Sequence, residues 1–148
     1  MAQELWSDAR VTGLFGGPYT PAQVRARLTQ EIAFQRDHGM QYWPVFLLED
    51  GRHAGCCGLR PYHPEDRIPE LGYHLRPAFW GQGLATEAST AVIDYGFKVL
   101  GAEALFAGHH PANEASRRVL LKLGFVYTGD AIYPASGTME PTYLLRRS

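Results

Sequence analysis

The stretch AFWGQGLATEA, residues 78–88, places two glycines one residue apart where a strand gives way to a helix. Glycine loses more backbone freedom on folding than other residues, so a helix start that uses it twice needs a reason. Two phosphate signatures fail on spacing. A P-loop requires G-x-x-x-x-G-K-[ST], and no such string occurs. A dinucleotide fingerprint requires G-x-G-x-x-G, and Thr86 holds the third place. No acidic residue in a following strand stands about 20 residues on to hold a ribose. Gly81, Gln82, Gly83, Leu84, Ala85 and Thr86 cover the first turn of the helix. The first four N–H groups of a helix lack internal acceptors and lie at its positive end. Small residues let an anion approach them. One reading is a pyrophosphate cradle built from backbone, and the other is a turn that simply uses glycine twice.

The surrounding pattern alternates strands and helices. TPAQVRARLTQEIAFQRDHG opens with Thr20 as N-cap and Pro21 at the first helical position, and closes at Gly39. Val24, Leu28 and Ile32 give it a core-facing stripe. Upstream, a short helix ends at Gly16 or Gly17. Strands on either side of Asp50-Gly51 form a hairpin, because Asp-Gly accepts the positive φ angles of a tight turn. ELGYHLRP is a third strand, ended by Pro77. The glycine pair then leads into a helix from about Leu84 to Leu100, with Leu84, Ala88, Ala91, Val92, Tyr95 and Val99 as its stripe. ALFAGHH is a fourth strand. NEASRRVLLKLG is a helix capped by Asn113, and FVYTGDAIY and TYLLRR close the chain as strands. This order predicts an α/β (α+β) fold with a mixed sheet and helices on its faces.

With 148 residues, 45% hydrophobic and 20% charged, the chain suits one domain over residues 1–148. Its net charge of −1 has both signs scattered, so nothing points to nucleic acid, and an anionic ligand would be held locally. Cys56 and Cys57 are neighbours in an apolar run and read as small buried hydrophobes in a reducing compartment. No secretory signal or membrane-length apolar run is evident, so a soluble cytoplasmic protein is expected.

At this point the sequence resembles a family. ELGYHLRPAFWGQGLATEASTAVIDYGF followed by HHPANEASRRVLLKLGFVYTG is similar to the GNAT superfamily of acetyl-CoA-dependent N-acetyltransferases, nearest the ribosomal-protein alanine acetyltransferase branch. The resemblance runs from about Leu14 to Tyr143 and is strongest over residues 70–129. It implies a mostly antiparallel sheet whose third and fourth strands splay after residue 75. It also implies that the backbone of residues 81–86 binds the coenzyme A pyrophosphate, where Trp80 replaces the family's usual Arg or Gln. His74, Leu75 and Arg76 would run beside the pantetheine arm. Asn113 would hold that arm, and Ser116 would be placed to bond the sulfur. The tyrosine that many members carry near the end of this helix is absent, with Val119, Leu120 and Leu121 in the region, leaving Ser116 or water as proton donor.

Acetylation of an amine requires a base, oxyanion donors and a departing thiolate. Glu70 is the candidate base, directly or through water, and the backbone N–H of Leu75 the candidate oxyanion donor. Transfer would be direct, in a ternary complex, without Cys56 or Cys57 as nucleophile. No metal is expected: His109 and His110 are adjacent strand residues that point apart, and His53 with the cysteines lacks ligand spacing. Trp43 is a candidate on the substrate side. The family's opening strand is missing from the pattern, which leaves a sheet edge for a second subunit or the C-terminal segment to cover. The acceptor amine is left open among a protein N-terminus, a polyamine, an amino acid and an aminoglycoside-like drug. The alternatives are a non-catalytic module that binds coenzyme A and a coenzyme-free structural domain.

Overall fold

The computed structural model describes residues 1–134 and 137–148. Its sheet starts from the Asp50-Gly51 turn, where Gly51 takes φ 74° and the Asp50 carboxylate accepts from the Arg52 N–H at 3.0 Å. This joins β1 (Tyr42–Phe46) to β2 (His53–His63) as an antiparallel pair. The sheet continues through β3 (Ile68–Leu75), β4 (Ala104–Gly108), β5 (Val126–Ile132) and β6 (Met139–Arg146), in the order β1-β2-β3-β4-β6-β5. Every pairing is antiparallel except β3 with β4. That parallel pair has one registered position, Glu70 with Phe106, while β3 stays paired to β2 as far as Leu75. The two strands therefore part just after residue 70, earlier than the expected residue 75.

The sheet has β1 at one edge and β5 at the other. Helices α1 (Ala2–Trp6) and α2 (Ala9–Thr12) precede β1 in the chain. The C-terminal strand β6 lies between β4 and β5, so it does not cover the β1 edge, and that half of the sequence expectation is corrected.

Helix α3 (Pro21–His38) starts in a capping box, with Thr20 and Gln23 each accepting from the other's backbone N–H. It ends at Gly39 in the left-handed conformation. Its expected stripe is only partly right. Val24 is buried, but Leu28 and Ile32 are exposed. A four-residue repeat drifts around a helix of 3.6 residues per turn. The face that meets the sheet instead carries Val24, Arg27 and Glu31, and the last two form an ion pair of 2.7 Å. Glu31 also accepts from the Tyr42 N–H at 2.7 Å, tying α3 to the start of β1.

Helix α4 (Leu84–Lys98) buries Ser89, Val92 and Gly96, whereas the predicted stripe residues Ala91 and Val99 are exposed. Small residues at 89 and 96 bring the helix close to the sheet. A Cβ at Gly96 would lie 3.2 Å from Leu59 and 3.3 Å from Leu105. Helix α5 (Glu114–Lys122) begins at Asn113, whose side chain accepts from the Ser116 N–H at 3.0 Å.

Two apolar clusters cover the two sheet faces. Cys57, Leu59, Leu71, Val92, Leu105 and Leu120 belong to the cluster under α4 and α5. Leu5, Trp6, Val24, Tyr42 and Cys56 form the other, under α1 and α3. Cys56 and Cys57 thus point to opposite faces, as strand alternation requires. Burial pushes the Cys57 thiol up to about 11 and that of Cys56 up to about 12, which leaves both protonated and poor nucleophiles. Among the described residues, no helix is long and apolar enough to cross a membrane.

Removing one partner of a buried ion pair leaves the other charge uncompensated. Glu31→Ala is expected to lower unfolding free energy by about 3 kcal/mol or more in urea denaturation, because Arg27 then loses its carboxylate.

Candidate active site

After Leu75 the chain leaves the sheet through a short turn at Pro77–Phe79 that buries Phe79. Trp80 folds back, its indole N–H donating to the Leu75 carbonyl at 2.9 Å. Gly81 and Gly83 then take φ 75° and 76°, a conformation that L side chains rarely adopt. A Cβ at either glycine would meet nothing within 4 Å, so the space before them is open. Gly83 is the N-cap of α4, and no side chain caps the helix there. The main-chain donors of its first turn are therefore presented to a cleft of about 780 Å³, lined by Gly81, Gly83, Leu84, Ala85, Thr86 and Asn113 among others. Gln82 contributes no side chain to that cleft, because its amide turns back to the Ala78 carbonyl at 3.3 Å.

The same cleft has basic residues that sequence reasoning missed. Arg118 and Lys122, one turn apart on α5, line it, and neither has an ion-pair partner among the described residues. Arg10 also lines it, paired to Asp8 at 2.8 Å. The i, i+4 spacing of the first two was the available signal, but only the fold shows which face of α5 meets the cleft.

The gap between β3 and β4 exposes main-chain groups selectively. Antiparallel strands alternate between residues that bond the partner and residues that point away. The Arg76 N–H donates to the Ala54 carbonyl of β2 at 2.8 Å, which makes Leu75 and Gly55 a non-bonded pair. Leu75 and, two residues earlier, Tyr73 consequently turn their N–H groups toward the gap. The backbones of His74 and Arg76 are engaged with β2. Arg76 does not line the cleft, and its guanidinium is ion-paired with Glu4. His74 lines both parts of it.

Beyond the gap the cleft continues into a second cavity of about 500 Å³, reaching Glu70 and Arg60. Tyr73, His74, Asn113 and Ser116 line both parts and so mark where the two meet. The Tyr73 hydroxyl lies 2.8 Å from Ser116 Oγ. Burial raises the Tyr73 phenol to about 12, partly offset by that hydrogen bond. Tyr73 was not picked out from the sequence, because 43 residues separate it from Ser116. Glu70 is partly buried and pairs with Arg60 at 3.0 Å.

Other sequence candidates lie elsewhere. Trp43 packs edge-on against Tyr95, with ring centroids 5.1 Å apart, and donates to Gln35 at 3.2 Å. It does not line the cleft. His109 donates through Nδ1 to the His110 carbonyl at 2.8 Å and accepts from the Tyr143 hydroxyl at 3.0 Å. Among the described residues, the grouping with metal-ligand geometry is His63, Glu65 and Asp66 on the exposed turn between β2 and β3, outside the cleft.

The sheet is opened between two parallel neighbours, and an uncapped glycine-started helix stands at the opening. The acetyltransferase (GNAT) domain family matches residues 1–126, and the chain belongs to that family. It is 30% identical over 128 residues to an uncharacterized N-acetyltransferase, p20, of Bacillus licheniformis, covering 85% of this chain and 72% of that protein. Its fold is similar to that of an acetyltransferase from Agrobacterium tumefaciens, with TM-score 0.83 and 23% identity over 99% of this chain and 83% of the other. It is also similar in fold to the ribosomal-protein-S5-alanine acetyltransferase of Vibrio fischeri, with TM-score 0.76 and 23% identity over 99% and 85% of the two chains. The family's cosubstrate is acetyl-CoA, and the open glycine turn, the uncapped helix and the two cations on α5 fit its phosphates.

Two expectations follow. Acetyl-CoA at 100 times Kd should stabilise the chain by about 2.7 kcal/mol in thermal denaturation, and Gly83→Ala, strained at positive φ, should weaken that stabilisation. The second concerns pH. Burial, then the charges of Arg27 and Arg60, lower the His74 pKa from 6.5 to about 3. The unfolded chain therefore takes up this proton first on acidification, and the contribution present above pH 6.5 is lost as pH falls toward 3. The melting temperature should drop between pH 7 and pH 5, and drop less in His74→Gln.

Proposed function

We propose that this chain moves the acetyl group of acetyl-CoA directly to a primary amine, on a protein N-terminus or a small molecule, within a ternary complex. The observation that carries the reading is the continuity of the cleft. It runs from the glycine turn, through the gap beside Tyr73 and Ser116, to the Glu70 carboxylate on the far side. Cofactor and amine can enter from opposite ends and meet at the gap, which removes any need for an acyl-enzyme.

Each group has a role in this account. The main-chain N–H groups of residues 81–86 hold the pyrophosphate, and Arg118 and Lys122 add charge that backbone alone lacks. Tyr73 and Leu75 offer N–H groups to the amides of the pantetheine arm and to the thioester oxygen. Glu70 stands five residues before Leu75, which at about 3.3 Å per residue is roughly 16 Å along the strand. It therefore receives the ammonium proton through water. Arg60 holds the carboxylate in place at 3.0 Å.

The nitrogen lone pair attacks the carbonyl carbon, and the carbonyl pair moves to oxygen. On collapse the C–S bond breaks, and the sulfur leaves with its electron pair. Ser116 Oγ donates a proton to the departing thiolate and is resupplied by the Tyr73 hydroxyl at 2.8 Å, while the second proton shed by the attacking nitrogen passes through water to restore Tyr73. A thiol pKa near 8.5 makes the demand for this proton modest.

Glu70→Gln should lower kcat/KM by 10²-fold or more, within the usual range of general-base contributions, with acetyl-CoA binding retained. Ser116→Ala should cost less, because the thiolate can leave unprotonated. Steady-state kinetics over a panel of amines, with thermal shift as the binding control, makes the comparison. Unchanged turnover in both variants would remove these assignments, and binding without turnover of any amine would favour a non-catalytic coenzyme A module.

A further inference from the structure

His74 stands where the two parts of the cleft meet, and its ring is held from several directions. Phe15 stacks on it at 4.5 Å between centroids with planes 15° apart. Tyr42 and Trp6 present edges at 5.6 and 6.4 Å. The Trp6 indole Nε1 donates to His74 Nδ1 at 2.9 Å, and the Cys56 sulfur lies 3.7 Å from the same nitrogen. An indole N–H can only donate, so Nδ1 accepts. The proton of the neutral ring is therefore on Nε2.

Nε2 has no hydrogen-bond partner among the described residues, and it is not among their fully buried unpartnered atoms. It thus keeps some exposed surface, on a residue that lines the cleft. The ring is unsuited to act as a base: it has no free lone pair on Nε2, and the nearby Arg27 and Arg60 oppose a positive charge. What it offers is a fixed neutral N–H donor. The next residue, Leu75, turns its main-chain N–H toward the gap of the cleft that His74 also lines.

We propose that His74 Nε2–H is a second oxyanion donor beside the Leu75 main-chain N–H, and that Trp6 is the positioning residue that fixes its tautomer. This rests on the acetyl-transfer reading above. As the amine nitrogen bonds to the carbonyl carbon, the carbonyl pair moves onto oxygen, and both donors bond that oxygen. When the C–S bond breaks, the pair returns and the donors relax. His74 keeps its proton throughout. A preorganised neutral donor needs no rearrangement at the moment charge develops, which is where such groups act most strongly.

The experiment combines two readouts on the full chain. Two-bond ¹H–¹⁵N imidazole spectra without cofactor should show His74 protonated on Nε2 and bare on Nδ1 at pH 7, with Trp6→Phe mixing the tautomers. Kinetics should show His74→Phe lowering kcat by roughly 10²-fold, the scale of a lost oxyanion donor, with little change in KM for acetyl-CoA. His74→Gln, whose side-chain N–H reaches the same region, should recover most of kcat. A proton on Nδ1, or wild-type kcat in a folded His74→Phe, overturns the inference. Loss of kcat in His74→Gln equal to that in His74→Phe also overturns it, because a donor would have been restored without effect. Failure of the wild-type chain to bind acetyl-CoA overturns the acetyl-transfer reading and this inference with it.

Discussion

Two parallel strands that part after one paired position leave main-chain donors and acceptors without a strand partner. In this chain that position is Glu70 with Phe106, and everything in the cleft follows from it. Unpaired backbone inside a protein is costly unless something bonds it, whether water, side chains or a ligand. Here one carbonyl, that of Leu75, is satisfied by Trp80, while the neighbouring N–H groups are left facing the gap. An extended molecule with amides spaced along it can take the place of the missing strand. In the proposed complex the glycine turn would serve the charged end of the same molecule, because α4 begins just after β3 ends.

The face of the sheet opposite α4 holds the chemistry in register. Glu31 ties α3 to the backbone of Tyr42 and neutralises Arg27, and Arg27 lies over the rings of Trp6 and Tyr42. Those rings in turn enclose His74. The short N-terminal helices therefore help to hold a residue that lines the cleft. They supply Trp6 and, in the turn that follows α2, Phe15, without which the imidazole would be free to rotate and to titrate. A charged pair buried under an aromatic layer contributes little to stability compared with an apolar replacement, and its value here is in orientation.

Local signals were legible in the sequence. Asp50-Gly51, the Thr20 cap with Pro21, Asn113 and the glycine pair each act within a few residues, and each marks a turn or helix end in the structure. Misreadings arose where the third dimension decides. Leu28, Ile32, Ala91 and Val99 are apolar but face outward, and the buried face of α3 carries an ion pair that a hydrophobicity pattern discards. Trp43, the candidate on the substrate side, packs edge-on against Tyr95 and does not line the cleft. The contacts at the centre of the cleft were beyond reach for another reason. Tyr73 meets Ser116 across 43 residues, and Trp6 meets His74 across 68. No local pattern records such meetings, because strand pairing and helix packing create them together.

The most direct test of the central claim is a backbone amide titration by ¹H–¹⁵N correlation NMR with acetyl-CoA. Main-chain donors at a helix start and at a strand gap should report the ligand before any side chain does. The account predicts that the largest shifts fall on residues 81–86 and on Tyr73 and Leu75, while His74 and Arg76, bonded to β2, move less. Shifts confined to side-chain-rich surfaces elsewhere, with those amides unmoved at saturation, would contradict it.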